Sequence, residues 1–151
     1  MQKLDHNNHS VFKLTYHLVM VVKYRKRVIT SEICGRLHEI MISIGESFHV
    51  TVDEFSHDGD HVHVLLTAYP NTTLSKFINA FKTVSSRFIK REFPVIRTSL
   101  WKDAFWSQSY CLLTTGGAPL DVIRNYVTSQ GEGMKRKYVN KAVKTNAEYS
   151  I

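Results

Sequence analysis

His61 and His63 flank a single valine in the stretch Ser56-His57-Asp58-Gly59-Asp60-His61-Val62-His63-Val64-Leu65-Leu66. Successive side chains of a strand face opposite sides, so both imidazoles share one face while Val62 and Val64 take the other, toward a core. Two imidazoles one strand step apart, roughly 6.5–7 Å, can converge on one metal ion. Such an ion needs a third donor. Asp58 is a candidate, although an Asp-Gly turn explains it without metal. Asp60 alternates away from the histidines if the strand begins there. The remaining candidates lie on the last helix, PLDVIRNYVTSQGEG, where Val122, Tyr126 and Gln130 follow i, i+4, i+8 on one face. Tyr126 then sits one turn from an amide that can ligate or hydrogen-bond. The plain alternative is two surface histidines, a boundary tyrosine with a wet hydroxyl, and a solvated glutamine.

The elements that must position these residues are legible from periodicity. Residues 11–24, VFKLTYHLVMVVKY, are β-branched and aromatic and predict a long strand, ended by the basic cluster KYRKR. From Ser31, a candidate N-cap, Ile33, Leu37, Ile40, Met41 and Ile44 recur at helical spacing, with Gly45 near the helix end. Residues 49–57 and 61–69 predict two strands, joined at Asp58-Gly59 by a hairpin. Pro70-Asn71-Thr72 opens a second helix with the stripe Leu74, Phe77, Ile78, Phe81, Val84 and Phe88. Residues 105–115 read as a fourth strand, Gly116-Gly117 breaks the chain, and Pro119 suits the first turn of a helix over about 119–136. The order β-α-β-β-α-β plus one helix predicts an α+β fold: a ferredoxin-like (RRM-like) antiparallel sheet with helices on one face and a C-terminal, tyrosine-bearing helix. One domain is expected over 1–151, its core about 11–135 and its tail, 137–151, polar.

Composition narrows the function classes. The chain has 151 residues, 43% hydrophobic and 22% charged, an ordinary globular mix. Its net charge of +7 favours a polyanionic partner, nucleic acid first. Lys23, Arg25, Lys26 and Arg27 cluster beside Tyr24, and Lys82, Arg87, Lys90 and Arg91 decorate the second helix. Such cations contact phosphates and give affinity without sequence choice. Tyr24, Trp101, Phe105 and Trp106 are candidates to stack on unpaired bases. Cys34 and Cys111 form no CxxC pattern, so neither a disulfide framework nor a zinc-thiolate site is expected, and a reducing cytosol fits. MQKLDHNNHS has no apolar signal region, and no apolar run approaches the roughly 18 residues of a membrane span. No GxxxxGK[ST] phosphate loop occurs, so no nucleotide cofactor is expected.

Together, HVH followed by VLL, TYHLVMVVKYRKRVI, FKTVSSRFIKREFP, LWKDAFWSQSYCLLTTGGAPLDVI and NYVTSQ resemble the single-tyrosine HUH transposases of the smallest bacterial insertion sequences. The resemblance spans roughly residues 11–135. It implies a substrate of single-stranded DNA folded into hairpins at element ends. It implies that His61, His63 and Gln130 hold a divalent metal, Mg²⁺ or Mn²⁺, and that Tyr126 attacks phosphorus to form a 5′-phosphotyrosine. It also implies a homodimer in which the tyrosine helix of one subunit completes the histidine site of the other, with Gly116 and Gly117 as the joint. The flanks of Tyr126, Asn125 and Val127 to Ser129, carry no acid, and no general base is assigned. Three rivals share parts of the pattern: a domesticated relative that processes genomic palindromic repeats, a non-catalytic hairpin-binding module, and a metal hydrolase of small substrates. A rolling-circle initiator is the nearest mechanistic cousin, but these 151 residues predict one domain with no helicase.

Overall fold

Strict alternation along the central strands gives the sheet two buried faces. The computed structural model describes residues 5–6, 11–12, 14–114 and 120–130. A short pair, β1 (Asp5–His6) and β2 (Val11–Phe12), precedes the main sheet. The main elements follow as β3 (Leu14–Val21), α1 (Ser31–Phe48), β4 (Val50–Asp58), β5 (His61–Ala68), α2 (Leu74–Glu92), β6 (Cys111–Thr114) and α3 (Leu120–Gln130). The sheet order is β4-β5-β3-β6, antiparallel throughout. Counted from its own first strand this is the 4-1-3-2 order of a ferredoxin-like sheet, as the order of elements predicts.

Leu18 and Met20 of β3 and Val62, Val64 and Leu66 of β5 point to one face. There they meet Ile33, Leu37 and Met41 of α1 and Phe77, Ile78 and Phe81 of α2. Each of these side chains is essentially fully buried and contributes about 1.5–3 kcal/mol relative to exposure. Val19 and Val21 point to the opposite face and are covered by Tyr126 and Val127 of α3, with Cys111 and Leu113 at the margin. The two long helices therefore share one face, and the tyrosine helix lies on the other.

Local chemistry shifts several predicted boundaries. α1 is capped by Thr30 rather than Ser31: the Thr30 hydroxyl accepts the Ile33 N–H at 3.2 Å. Gly45 lies in the last turn of that helix, near its end as the sequence predicts. A Cβ there would sit 2.6 Å from the Val50 carbonyl oxygen, so glycine lets β4 start tight against α1. The hairpin turn is Gly59-Asp60, with Asp58 paired to His61 across it, and the Asp58 carboxylate accepts the Gly59 N–H at 2.7 Å. The strand predicted over 105–115 shrinks to Cys111–Thr114. Phe105 and Trp106 are consecutive and both buried, their rings 4.6 Å apart edge to face, which a one-faced pleat cannot accommodate. Among the described residues no helix is long and apolar enough to cross a membrane. Gly116, Gly117, Pro119 and the tail lie outside the described residues.

Candidate active site

Register puts the two histidines on the sheet face that carries the tyrosine helix. His61 pairs with Val21 and His63 with Val19 across the β3–β5 ladder, so both imidazoles lie on the face that Tyr126 and Val127 cover. Cys111 of β6 pairs with Val19 on the other side. With strands about 4.8 Å apart, the backbones of His63 and Cys111 stand roughly 10 Å apart across this face.

His61 is oriented by a carboxylate. Its Nδ1 lies 2.7 Å from Asp60 Oδ1, which leaves Nε2 free to face an ion. Asp60 is only 2% exposed, and its other oxygen accepts the Arg25 Nε–H at 2.8 Å. Burial raises the Asp60 carboxyl, but the bonds from His61 and Arg25 outweigh it and hold the group below the usual carboxylate range. A carboxylate behind a metal-binding histidine fixes its tautomer and strengthens it as a donor. His63 Nε2 lies 2.9 Å from Nδ1 of His17, a diagonal neighbour on β3. Burial first, then the imidazoles of His17 and His61, push the His63 pKa down, so it is neutral and able to donate electron pairs at physiological pH.

The tyrosine helix presents its polar side chains to one serine. The Tyr126 hydroxyl lies 2.9 Å from Ser109 Oγ, and Ser109 donates to Gln130 Oε1 at 3.4 Å. The Tyr126 ring is 9% exposed. Burial, with a smaller contribution from Cys111, pushes its phenol up to about 12, although the Ser109 bond draws it down in part. The phenol is therefore protonated at rest. Tyr126 thus shares a face with His61 and His63, whereas Gln130 is held at Ser109 and makes no recorded contact with either imidazole among the described residues.

Among the described residues, the cluster of three His, Cys, Asp or Glu side chains with ligand atoms within 4.8 Å of one another is Asp58, Asp60 and His61. Its carboxylates already carry arginines, since Arg27 holds Asp58 at 2.8 Å as Arg25 holds Asp60. Beside these committed acids His61 keeps its Nε2 open, while His63 shares its Nε2 with His17. Two of the four KYRKR cations are therefore committed to acids. Lys23 instead lies over the rings of Tyr24 and Trp101, and Lys26 is exposed. Next to the Lys23–Arg25 turn, which bonds to the Phe105 carbonyl, Lys82, Arg87, Lys90, Arg91 and Arg97 line a groove of about 860 Å³ together with Phe105 and Trp106. Lys82 donates to the Gln108 carbonyl, and burial lowers its pKa. Lys90 and Arg97 both hold Asp103. Asp60, His17 and Ser109 are the site residues that sequence reasoning did not assign.

Replacing Asp60 by Asn leaves His61 without its anionic partner. Mn²⁺ affinity, measured by electron paramagnetic resonance on folded protein, is expected to fall about 10- to 100-fold. An unchanged affinity would remove Asp60 from the site. Tyr126 gives a second test. A phenol raised from about 10 in the unfolded chain to about 12 in the folded one stabilises the fold fully below pH 10. That contribution is lost as pH climbs through 12. The ultraviolet titration of the wild type minus that of Tyr126→Phe should show one tyrosine ionising near pH 12. Ionisation complete by pH 10 would contradict the buried, Ser109-bonded phenol.

The comparisons with known proteins agree with one another. The family described as "Transposase IS200 like" matches residues 10–130. The ISDra2 transposase TnpA of Deinococcus radiodurans is 34% identical over 80% of this chain and 86% of its own. The transposase of insertion sequence IS200 from Salmonella typhimurium is 27% identical over 82% of this chain and 81% of its own. A crystal structure of a Deinococcus radiodurans R1 transposase superposes with a TM-score of 0.76 at 30% identity, covering 83% of this chain and 97% of that one. A REP-associated tyrosine transposase bound to a REP hairpin shares the fold, with a TM-score of 0.53 at 11% identity over 82% of this chain and 70% of that one. With a matched span that runs from the first strands through Tyr126 and Gln130, the chain belongs to the IS200-like transposase family.

Proposed function

We propose that this transposase cleaves and rejoins single-stranded DNA at hairpin-marked element ends, with Tyr126 as nucleophile and a 5′-phosphotyrosine as intermediate. The observation that carries this reading is the shared sheet face, which holds a buried phenol and two half-buried imidazoles, one of them oriented by a carboxylate. Hairpin binding by a relative of the same fold supports the choice of substrate.

Tyr126 Oη bonds to phosphorus as the bond from phosphorus to the 3′ oxygen breaks. That oxygen leaves as a 3′-OH, and the phenol proton departs. Rejoining reverses each change, so the energy stays in the linkage and no nucleotide cofactor is required. A phenol pushed up to about 12 cannot ionise at rest. Burial keeps it protonated, and the bond to Ser109 holds its hydroxyl in place until the phosphate arrives. His61 and His63 would hold Mg²⁺ or Mn²⁺, and Gln130 joins them by exchanging its bond with Ser109. When bound, such an ion polarises the scissile phosphate and neutralises the charge that develops on it. The two imidazoles and an amide favour Mn²⁺ in affinity.

Lys23, Lys26, Lys82 and Arg87 are the proposed phosphate contacts. Arg25 and Arg27 serve the site through Asp60 and Asp58. A homodimer in the cytosol belongs to the same reading, with Gly116 and Gly117 as the joint that lets α3 leave its own sheet.

Purified protein incubated with single-stranded DNA from the flanks of its gene should give a covalent adduct on a denaturing gel. The protein should remain on the 5′ end of one fragment while the other gains a free 3′-OH. EDTA, Tyr126→Phe and His61→Ala should each abolish the adduct. An adduct that survives in Tyr126→Phe would place the nucleophile elsewhere.

A further inference from the structure

Tyr24 and Trp101 meet just beyond the C-terminal end of β3, their rings 5.2 Å apart and nearly perpendicular at 88°. Trp101 is 43% exposed, the most exposed aromatic ring among the described residues, and Tyr24 is half-buried. The other two aromatics once candidates for stacking are spent in the core. Phe105 is 1% exposed and Trp106 7%, and the Trp106 indole N–H donates to Ser85 at 2.9 Å. The exposed pair contributes little to core packing, yet it is held firmly.

The firmness comes from two facing turns. Tyr24 and Arg25 have φ of 57° and 55°, and Lys102 and Asp103 have φ of 48° and 61°. None of the four is glycine, and such backbone persists only where the surroundings over-determine it. Here they do. The Lys23 N–H donates to the Phe105 carbonyl at 2.9 Å, Arg25 is tied to Asp60 at 2.8 Å, and Asp103 is held by Arg97 at 2.7 Å and by Lys90. Cations surround the rings. Lys23 Nζ lies 5.4 Å from the Tyr24 centroid and 5.8 Å from that of Trp101, and Lys102 Nζ lies 4.6 Å over Trp101. A rigid, exposed aromatic face fringed by ammonium groups suits a flat ring carried on phosphates. An unpaired base offers that face, whereas a base inside a duplex has its faces covered.

The position is as specific as the chemistry. Arg25, the residue after Tyr24, bonds the Asp60 carboxylate that orients His61. α3 packs against the same Lys23–Arg25 turn. The aromatic pair and the histidine site are thus neighbours joined by one ion pair.

We propose that Trp101, braced by the perpendicular Tyr24 ring, is a stacking platform for an unpaired base of the single-stranded substrate, next to the phosphate that is cut, with Lys23 and Lys102 neutralising the flanking phosphates. The platform rests on the single-strand reading above, and its test needs neither metal nor cleavage. The chain has two tryptophans, and the buried Trp106 serves as an internal reference. In EDTA at fixed salt, a dye-free thymine-rich oligonucleotide should quench wild-type tryptophan fluorescence, while a duplex of the same length should not. Trp101→Phe should remove the quenching and keep most of the affinity, because a phenyl ring still stacks. Trp101→Ala, with its thermal unfolding checked, should bind about tenfold more weakly by anisotropy of a labelled strand.

Quenching that persists in Trp101→Phe, or wild-type affinity in Trp101→Ala, would overturn the platform. The covalent adduct reports separately. An adduct that forms with Trp101→Ala at wild-type affinity sinks the platform alone. Quenching with no metal-dependent adduct keeps the platform and sinks the nuclease.

Discussion

A buried carboxylate at the β4–β5 turn orders this site. Asp60 is 2% exposed and is bonded by Arg25 and His61. Removing one partner from such a group costs about 3–5 kcal/mol, because a charge is left buried without compensation. Arg25 must therefore come to Asp60, and the chain turns left-handed at Tyr24 and Arg25 to bring it there. A left-handed residue costs about 1–2 kcal/mol, which the ion pair offsets. The same turn hydrogen-bonds to the segment after Trp101 and contacts α3. One acid thus sets the orientation of His61, the path of the basic turn and the seat of the tyrosine helix.

The second constraint is a sheet buried on both sides. One face carries the main core with α1 and α2, and the other carries, among the described residues, a small apolar patch of Val19, Val21, Tyr126 and Val127. That patch is large enough to dock α3 and small enough to leave the histidines beside it rather than under it. His61 and His63 are half-buried for this reason. Burial lowers the His63 pKa and raises that of Tyr126, two conditions that suit the proposed chemistry, in which the phenol must not react early.

What was legible in the sequence was what repeats along it. The period of two in HVHVLL and the helical stripes of α1 and α2 predicted the elements, the ferredoxin-like order and the common face of His61 and His63. Contacts between distant segments were not legible. Strand alternation turns Asp60 away from the histidines only if the strand begins there; β5 begins at His61, and Asp60 occupies the turn, where its side chain reaches back to His61. His17 sat in a β-branched run with nothing local to mark it, since its diagonal position beside His63 exists only once β3 and β5 pair. Ser109 was taken as part of a strand, and its link to Tyr126 spans 17 residues. Arg25 and Arg27 read as phosphate contacts because their acids lie 35 and 31 residues away.

The central claim is that Tyr126, on the face shared with His61 and His63, is the residue that joins DNA. The chain has seven tyrosines, so the claim can be separated from its alternatives. The direct measurement is mass spectrometry of the trapped protein–DNA complex after nuclease and protease digestion. The account predicts a nucleotide phosphate on the peptide carrying Tyr126. A nucleotide on any other residue would contradict it.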